Sequence, residues 1–159
     1  MDMILFMTRE CTLKCQYCYV EHKSDSFMTK ETAFKAADLF IKENSEKAKF
    51  SFFGGEPLLQ FELIKEITGY VTGKAAEKGF EPLLSIATNG TLINDEVLNF
   101  LEKYKFRVEL SLDGDELSHN LNRPMRSGGN SYKSVVKNIP ALQKRAGHLA
   151  VVGVISPQT

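Results

Sequence analysis

Met3-Ile-Leu-Phe-Met-Thr8, followed almost at once by Cys11-Thr-Leu-Lys-Cys15-Gln-Tyr-Cys18, is the stretch on which the reading of this chain turns. The apolar run ends at Arg9 and Glu10 and reads as a buried strand. It is too short to cross a bilayer and lacks the basic leader and small-residue cleavage site of an export signal, which points to a cytoplasmic protein. The chain has 3 cysteines, all in the segment after this strand. An odd, tightly clustered set argues against a disulfide framework and for a metal site in a reducing compartment.

Thiolates are soft ligands that suit zinc or iron–sulfur clusters. A cubane cluster commonly takes four cysteines. With three, either another residue completes the set or one iron stays open to a chelating cofactor. Zinc is the competing reading, because His22 follows Cys18 closely enough for Cys11, Cys15, Cys18 and His22 to form a Cys₃His site.

Outward from this segment, strand-like and helix-like patterns alternate. Strands are predicted at Met3–Thr8, Lys49–Phe53, Leu83–Thr88, Phe106–Leu112 and Leu149–Ile155. Their runs of Ile, Leu, Val and Phe are mostly continuous, as in a parallel sheet buried on both faces. Thr29 can cap a first helix with Ala33, Ala37, Phe40 and Ile41 on one face. Phe61, Ile64, Ile67, Val71 and Ala75 form the stripe of a second, which Gly69 and Gly73 weaken without forbidding. Asn94 can cap a third, with Val97, Leu98, Leu101 and Tyr104 inward. Ser131 can cap a fourth, with Val135, Val136, Ile139 and Leu142 inward; Pro140 should kink or break it, and Gly147 should stop it. The order is β-α-β-α-β-α-β-α-β, an α/β class with parallel βα repeats.

The 159 residues suffice for one domain with its own core. The formal net charge is zero, so the global balance favours neither nucleic acid nor a membrane surface as partner.

In parallel α/β folds ligands gather at the carboxyl ends of the strands. Here those ends carry the cysteine segment, Gly54-Gly55-Glu56-Pro57, Thr88-Asn89-Gly90 and Ser111-Leu112-Asp113-Gly114. Paired glycines admit close approach of a ligand to the backbone, and Glu56 can accept hydrogen bonds from an ammonium group. Taken singly, these segments read as turns and caps. Arg123 and Arg126 flank Pro124 in a loop, where an arginine is usually solvated, and His119 reads as a surface histidine. Phe50, Phe52 and Phe53 read as core packing.

The Cys-x₃-Cys-x₂-Cys segment after a first strand, then Gly-Gly-Glu-Pro, Thr-Asn-Gly, Ser-Leu-Asp-Gly and an arginine ahead of Gly129-Asn-Ser131, resembles the radical S-adenosylmethionine (SAM) superfamily. Within it, the combination resembles the maturases of peptides and proteins, including anaerobic sulfatase-maturating enzymes, which often carry a SPASM auxiliary-cluster domain. The resemblance implies part of a (β/α)6 partial barrel. It implies that Cys11, Cys15 and Cys18 each bind one iron of a [4Fe-4S] cluster, whose fourth iron is chelated by SAM. It places Tyr17 near the adenine. Gly54, Gly55 and Glu56 would hold the methionyl ammonium, and Ser111 and Arg123 the ribose or carboxylate. Asn89 and Asp113 fall in family motifs with no assigned role. The implied chemistry is reductive cleavage of SAM to a 5′-deoxyadenosyl radical, which abstracts hydrogen from a peptide or protein substrate. The electron donor would be a protein such as flavodoxin or ferredoxin.

The family usually has six strand–helix units, against five strands and four helices here. Residues 1–159 are therefore expected to be a radical SAM core truncated on its C-terminal side, with no auxiliary-cluster domain. Such a chain should be marginally stable and lack turnover alone, with an exposed sheet edge near Ile155.

Overall fold

In the computed structural model the described residues are 1–20, 26–43 and 48–155. Five strands, β1 (Asp2–Phe6), β2 (Lys49–Phe53), β3 (Leu83–Thr88), β4 (Arg107–Ser111) and β5 (His148–Val152), form one sheet in the order β1-β2-β3-β4-β5. Every adjacent pair is parallel. The connections contain α1 (Lys30–Glu43), α2 (Phe61–Glu77), α3 (Asp95–Lys103), α4 (Glu116–Asn122), α5 (Tyr132–Val136) and α6 (Ile139–Arg145), with a short 3-10 turn at Pro57–Gln60. No helix among the described residues is long and apolar enough to cross a membrane.

The core lies on one side of the sheet. Leu5, Phe52, Ile86, Val108 and Leu149 are register partners across all five strands, and the first four are almost wholly buried. Against this row pack Ala37 and Ile41 of α1, Ile64, Ile67 and Val71 of α2, and Val97, Leu98 and Leu101 of α3. Burying a side chain of this size contributes roughly 1.5–3 kcal/mol. The expectation of strands buried on both faces needs correction. The next row, Ile4, Ser51, Ser85, Arg107 and His148, is polar apart from Ile4, which is itself 64% exposed. Strand β4 alternates accordingly, with Arg107 and Glu109 exposed and Val108 and Leu110 buried. Among the described residues the helices cover one face, so the pleat sorts side chains by period two.

The helix signals map closely. Thr29 Oγ1 accepts from Thr32 N at 3.2 Å, and Asn94 Oδ1 from Val97 N at 2.9 Å. Helix α2 runs unbroken through Gly69 and Gly73. Pro140 divides the last helical segment and sits in the first turn of α6, where its missing N–H costs nothing. Ser131 precedes α5 but makes no side-chain cap, because its hydroxyl is committed elsewhere. Strand β5 ends at Val152, short of the predicted Ile155. Helix α4 was not predicted; it is capped by Asp115, whose Oδ1 accepts from Ser118 N at 2.9 Å.

Candidate functional site

The cysteine loop is clamped on two sides by backbone hydrogen bonds. On one side, Gly55 N–H donates to Thr8 O and Glu56 N–H to Glu10 O, both at 2.8 Å. On the other, Lys14 N–H donates to Pro124 O and Gln16 N–H to Asn122 O at 2.9 Å, and Arg126 N–H to Thr12 O at 2.8 Å. Leu13 and Met125 form an antiparallel bridge. Segments 54–56 and 122–126 thus shape the loop between them.

This explains the paired glycines. A Cβ at Gly54 would overlap the Thr8 carbonyl oxygen, and one at Gly55 the carbonyl oxygens of Arg9 and Glu10. Gly54 also has φ +137°, a left-handed conformation that suits glycine. What approaches these glycines so closely is the chain's own backbone, at the stem of the cysteine loop.

Cys11, Cys15 and Cys18 line one cavity of about 340 Å³. Tyr17, Gly54, Gly55, Asn89, Ser111 and Arg123 share its wall. Roughly 300–1,000 Å³ is the usual size of a small-molecule site. Every residue that the resemblance assigns to the cluster or SAM, except Glu56, therefore meets at one place, at the carboxyl ends of the strands. The donor set fits the implied groups: three thiolates suit iron–sulfur ligation, and hydroxyl, amide, guanidinium and aromatic groups stand beside them. His22, the fourth donor of the zinc alternative, lies outside the described residues. Among the described residues, no three His, Cys, Asp or Glu side chains close around a single ion.

Glu56 is fully buried and does not line the cavity. Its Oε1 accepts from Leu58 N at 3.1 Å and from Thr88 Oγ1 at 2.8 Å, and its Oε2 accepts from Asn89 N at 2.8 Å. Burial pushes its carboxyl up to about 7, against the pull of these three donors. In the structure Glu56 braces the end of β3 and the 3-10 turn.

Arg123 is not the solvated loop arginine expected of its type. Its Nε donates to Asp113 Oδ2 at 2.9 Å and its Nη2 to Asp113 Oδ1 at 3.0 Å, with the two side chains 8% and 2% exposed. Tyr17 also donates its hydroxyl hydrogen to Asp113 Oδ2, and the Arg123 guanidinium lies 5.3 Å from the Tyr17 ring centroid. Val154 N–H completes the set at Asp113 Oδ1, 2.9 Å away. Burial alone would raise the Asp113 carboxyl, but hydrogen bonds from Arg123, Tyr17 and Val154 outweigh it and hold the group below its ordinary range. Burial and the bond to Asp113 raise the Tyr17 phenol, so it stays a neutral donor.

His119 corrects the reading of a surface histidine: it is fully buried. Its Nδ1 accepts from Asp113 N at 3.3 Å, so Nε2 carries the proton and donates to Ser131 Oγ at 3.0 Å. Ser131 Oγ in turn donates to Arg123 O at 2.5 Å. This directed chain ties the backbones of Asp113 and Arg123 together behind their ion pair. Burial, then the nearby Arg123 charge, lowers the His119 pKa, although Asp113 opposes this. The available sequence signal was Asp115 as a helix cap, which would have placed His119 one turn into α4.

The profile of the Radical SAM superfamily matches residues 5–157. The chain is 31% identical, over 94% of its length, to the cysteine-type anaerobic sulfatase-maturating enzyme of Clostridium perfringens, of which it covers 42%. It is 28% identical, over 98% of its length, to the radical SAM cyclopropyl synthase TigE of Paramaledivibacter caminithermalis, of which it covers 35%. A solved structure of native anSMEcpe with bound AdoMet and Kp18Cys peptide superimposes with a TM-score of 0.86 at 30% identity, covering 94% of this chain and 42% of that one. The chain thus spans less than half the length of these relatives.

Proposed function

The chain belongs to the radical SAM superfamily, and we propose that it is the core that holds a [4Fe-4S] cluster on Cys11, Cys15 and Cys18 beside S-adenosylmethionine, within a maturase acting on a peptide or protein. The observation that carries this reading is the single cavity of about 340 Å³ lined by all three cysteines together with Gly54, Gly55, Ser111 and Arg123. Cys11, Cys15 and Cys18 would hold the cluster and the rest of the cavity wall SAM; the two groups together would supply one-electron reductive cleavage of SAM and hydrogen abstraction from the substrate.

The chain's own residues bind and orient. The three thiolates each take one iron. Gly54 and Gly55, on the cavity wall, would offer backbone to the methionyl end of SAM, with the buried Glu56 as a brace. Arg123, oriented by its two hydrogen bonds to Asp113, would meet the carboxylate of SAM from the cavity wall. Ser111, on the cavity wall, would meet the ribose, and Tyr17, held by its hydrogen bond to Asp113, would meet the adenine. The peptide substrate is inferred from the maturase relatives and from the peptide in the anSMEcpe structure.

The test is low-temperature EPR on protein reconstituted anaerobically with iron and sulfide and reduced with dithionite. A [4Fe-4S] signal that changes when SAM is added is expected. Stoichiometric zinc with no cluster signal would overturn the reading. A signal indifferent to SAM would overturn its cofactor half.

A further inference from the structure

Asn89 is 6% exposed, at the carboxyl end of β3, and its side chain is oriented without ambiguity. Oδ1 accepts two hydrogen bonds from Thr91, from N at 3.0 Å and from Oγ1 at 2.7 Å. A flipped amide would set its NH₂ against the Thr91 backbone N–H, which can only donate, so the NH₂ group must face the other way. There Nδ2 donates to Thr12 Oγ1 at 3.0 Å. Thr12 Oγ1 lies 2.7 Å from Thr91 Oγ1. Because the Thr91 hydroxyl already donates to Asn89, the Thr12 hydroxyl donates to Thr91. Asn89, Thr12 and Thr91 therefore form a closed ring of hydrogen bonds. The ring uses one Nδ2 hydrogen and leaves the second, which points to Cys11 Sγ at 3.5 Å. Leu13 N–H donates to the same sulfur at 3.4 Å. The Asn89 backbone is itself held by the buried Glu56 carboxylate.

We propose that Asn89 sets the reduction potential of the cluster through its Nδ2–H···Sγ hydrogen bond to Cys11. This rests on the cluster assignment above. Reduction adds one negative charge to a cluster, and part of it resides on the ligand sulfurs. A donor aimed at a sulfur stabilises the more negative state and makes the cluster easier to reduce. The ring with Thr12 and Thr91 keeps that donor aimed, and Glu56 keeps the ring at the loop.

The experiment is an EPR-monitored redox titration of the reconstituted protein without SAM, comparing wild type, Asn89→Asp and Asn89→Ala. Asp is isosteric, retains the acceptor for Thr91, and replaces the donor with a further acceptor. Both variants should show more negative midpoint potentials at unchanged iron content, with Asn89→Asp the more negative. Equal potentials in all three proteins would overturn the proposal and leave the cluster assignment standing. Loss of the cluster from both variants would also overturn it, since Asn89 would then serve assembly. Absence of a [4Fe-4S] signal in the wild type would sink the cluster assignment as well.

Discussion

Asp113 and Arg123 form a two-pronged ion pair, at 2.9 and 3.0 Å, in which both side chains are nearly closed to water. Breaking such a pair from one side strands a buried charge. Asp113→Asn should therefore lower the unfolding free energy by about 3–5 kcal/mol, read from urea denaturation. Removing both charges should cost less than the sum of the single changes, because the partners are directly coupled. Additive losses would mean that the pair is energetically idle.

His119 predicts a loss of stability in mild acid. Its folded-state pKa is lowered from the ordinary 6.5, chiefly by burial. The unfolded chain therefore takes up a proton before the folded chain does. The sign follows: the contribution is intact above about pH 6.5 and declines as the pH falls below it. In His119→Gln the part of the pH dependence below 6.5 should flatten, measured as denaturation midpoints from pH 5 to 8. A profile parallel to wild type would contradict this.

Glu56 acts in the opposite sense. Its carboxyl is raised from 4.5 to about 7, so the folded chain holds the proton more tightly than the unfolded one. Stability is therefore lost as the pH rises from about 4.5 to 7, by about 3 kcal/mol. Glu56→Gln, which does not titrate, should remove that decline. The same midpoint series reads it, and a wild-type slope retained in the variant would sink the assignment.

Three glycines separate two physical roles. Gly55→Ala would drive a Cβ into the carbonyls of Arg9 and Glu10 and displace the stem of the cysteine loop; Gly54→Ala adds a strained φ. Both should lower iron content after reconstitution. Gly69→Ala, in the interior of α2 with open space around it, should leave iron content unchanged and stabilise the protein by about 1 kcal/mol. Iron and sulfide assays beside denaturation curves distinguish these outcomes.

The parallel sheet and the position of the cysteine loop were legible because apolar runs and thiol spacing are local signals. Helix α4 was not, and its composition says why. Leu117 and Leu121 are 79% and 49% exposed, whereas His119 and Asn122 are buried, so a search for an apolar stripe sees the wrong face. The depth of Arg123 was equally hidden. Nothing local to it announces Asp113, Tyr17 and Val154, which converge only when β4, the cysteine loop and the end of β5 meet. Gly54 and Gly55 read in the sequence as a place where a ligand approaches the backbone, whereas in the fold the atoms packed against them belong to the backbone of residues 7–10. Glu56 stands beside them, and only the fold reveals that its carboxylate is buried against Leu58, Thr88 and Asn89 rather than facing the cavity.

The cysteine loop takes its form from segments 54–56 and 122–126. During synthesis the three thiols therefore emerge about a hundred residues before the last of the backbone that shapes them. Until that backbone arrives, the hydrogen bonds from Lys14, Gln16 and Arg126 that clamp one side of the loop cannot form, so the final shape of the thiol loop is a late event in the folding of this region.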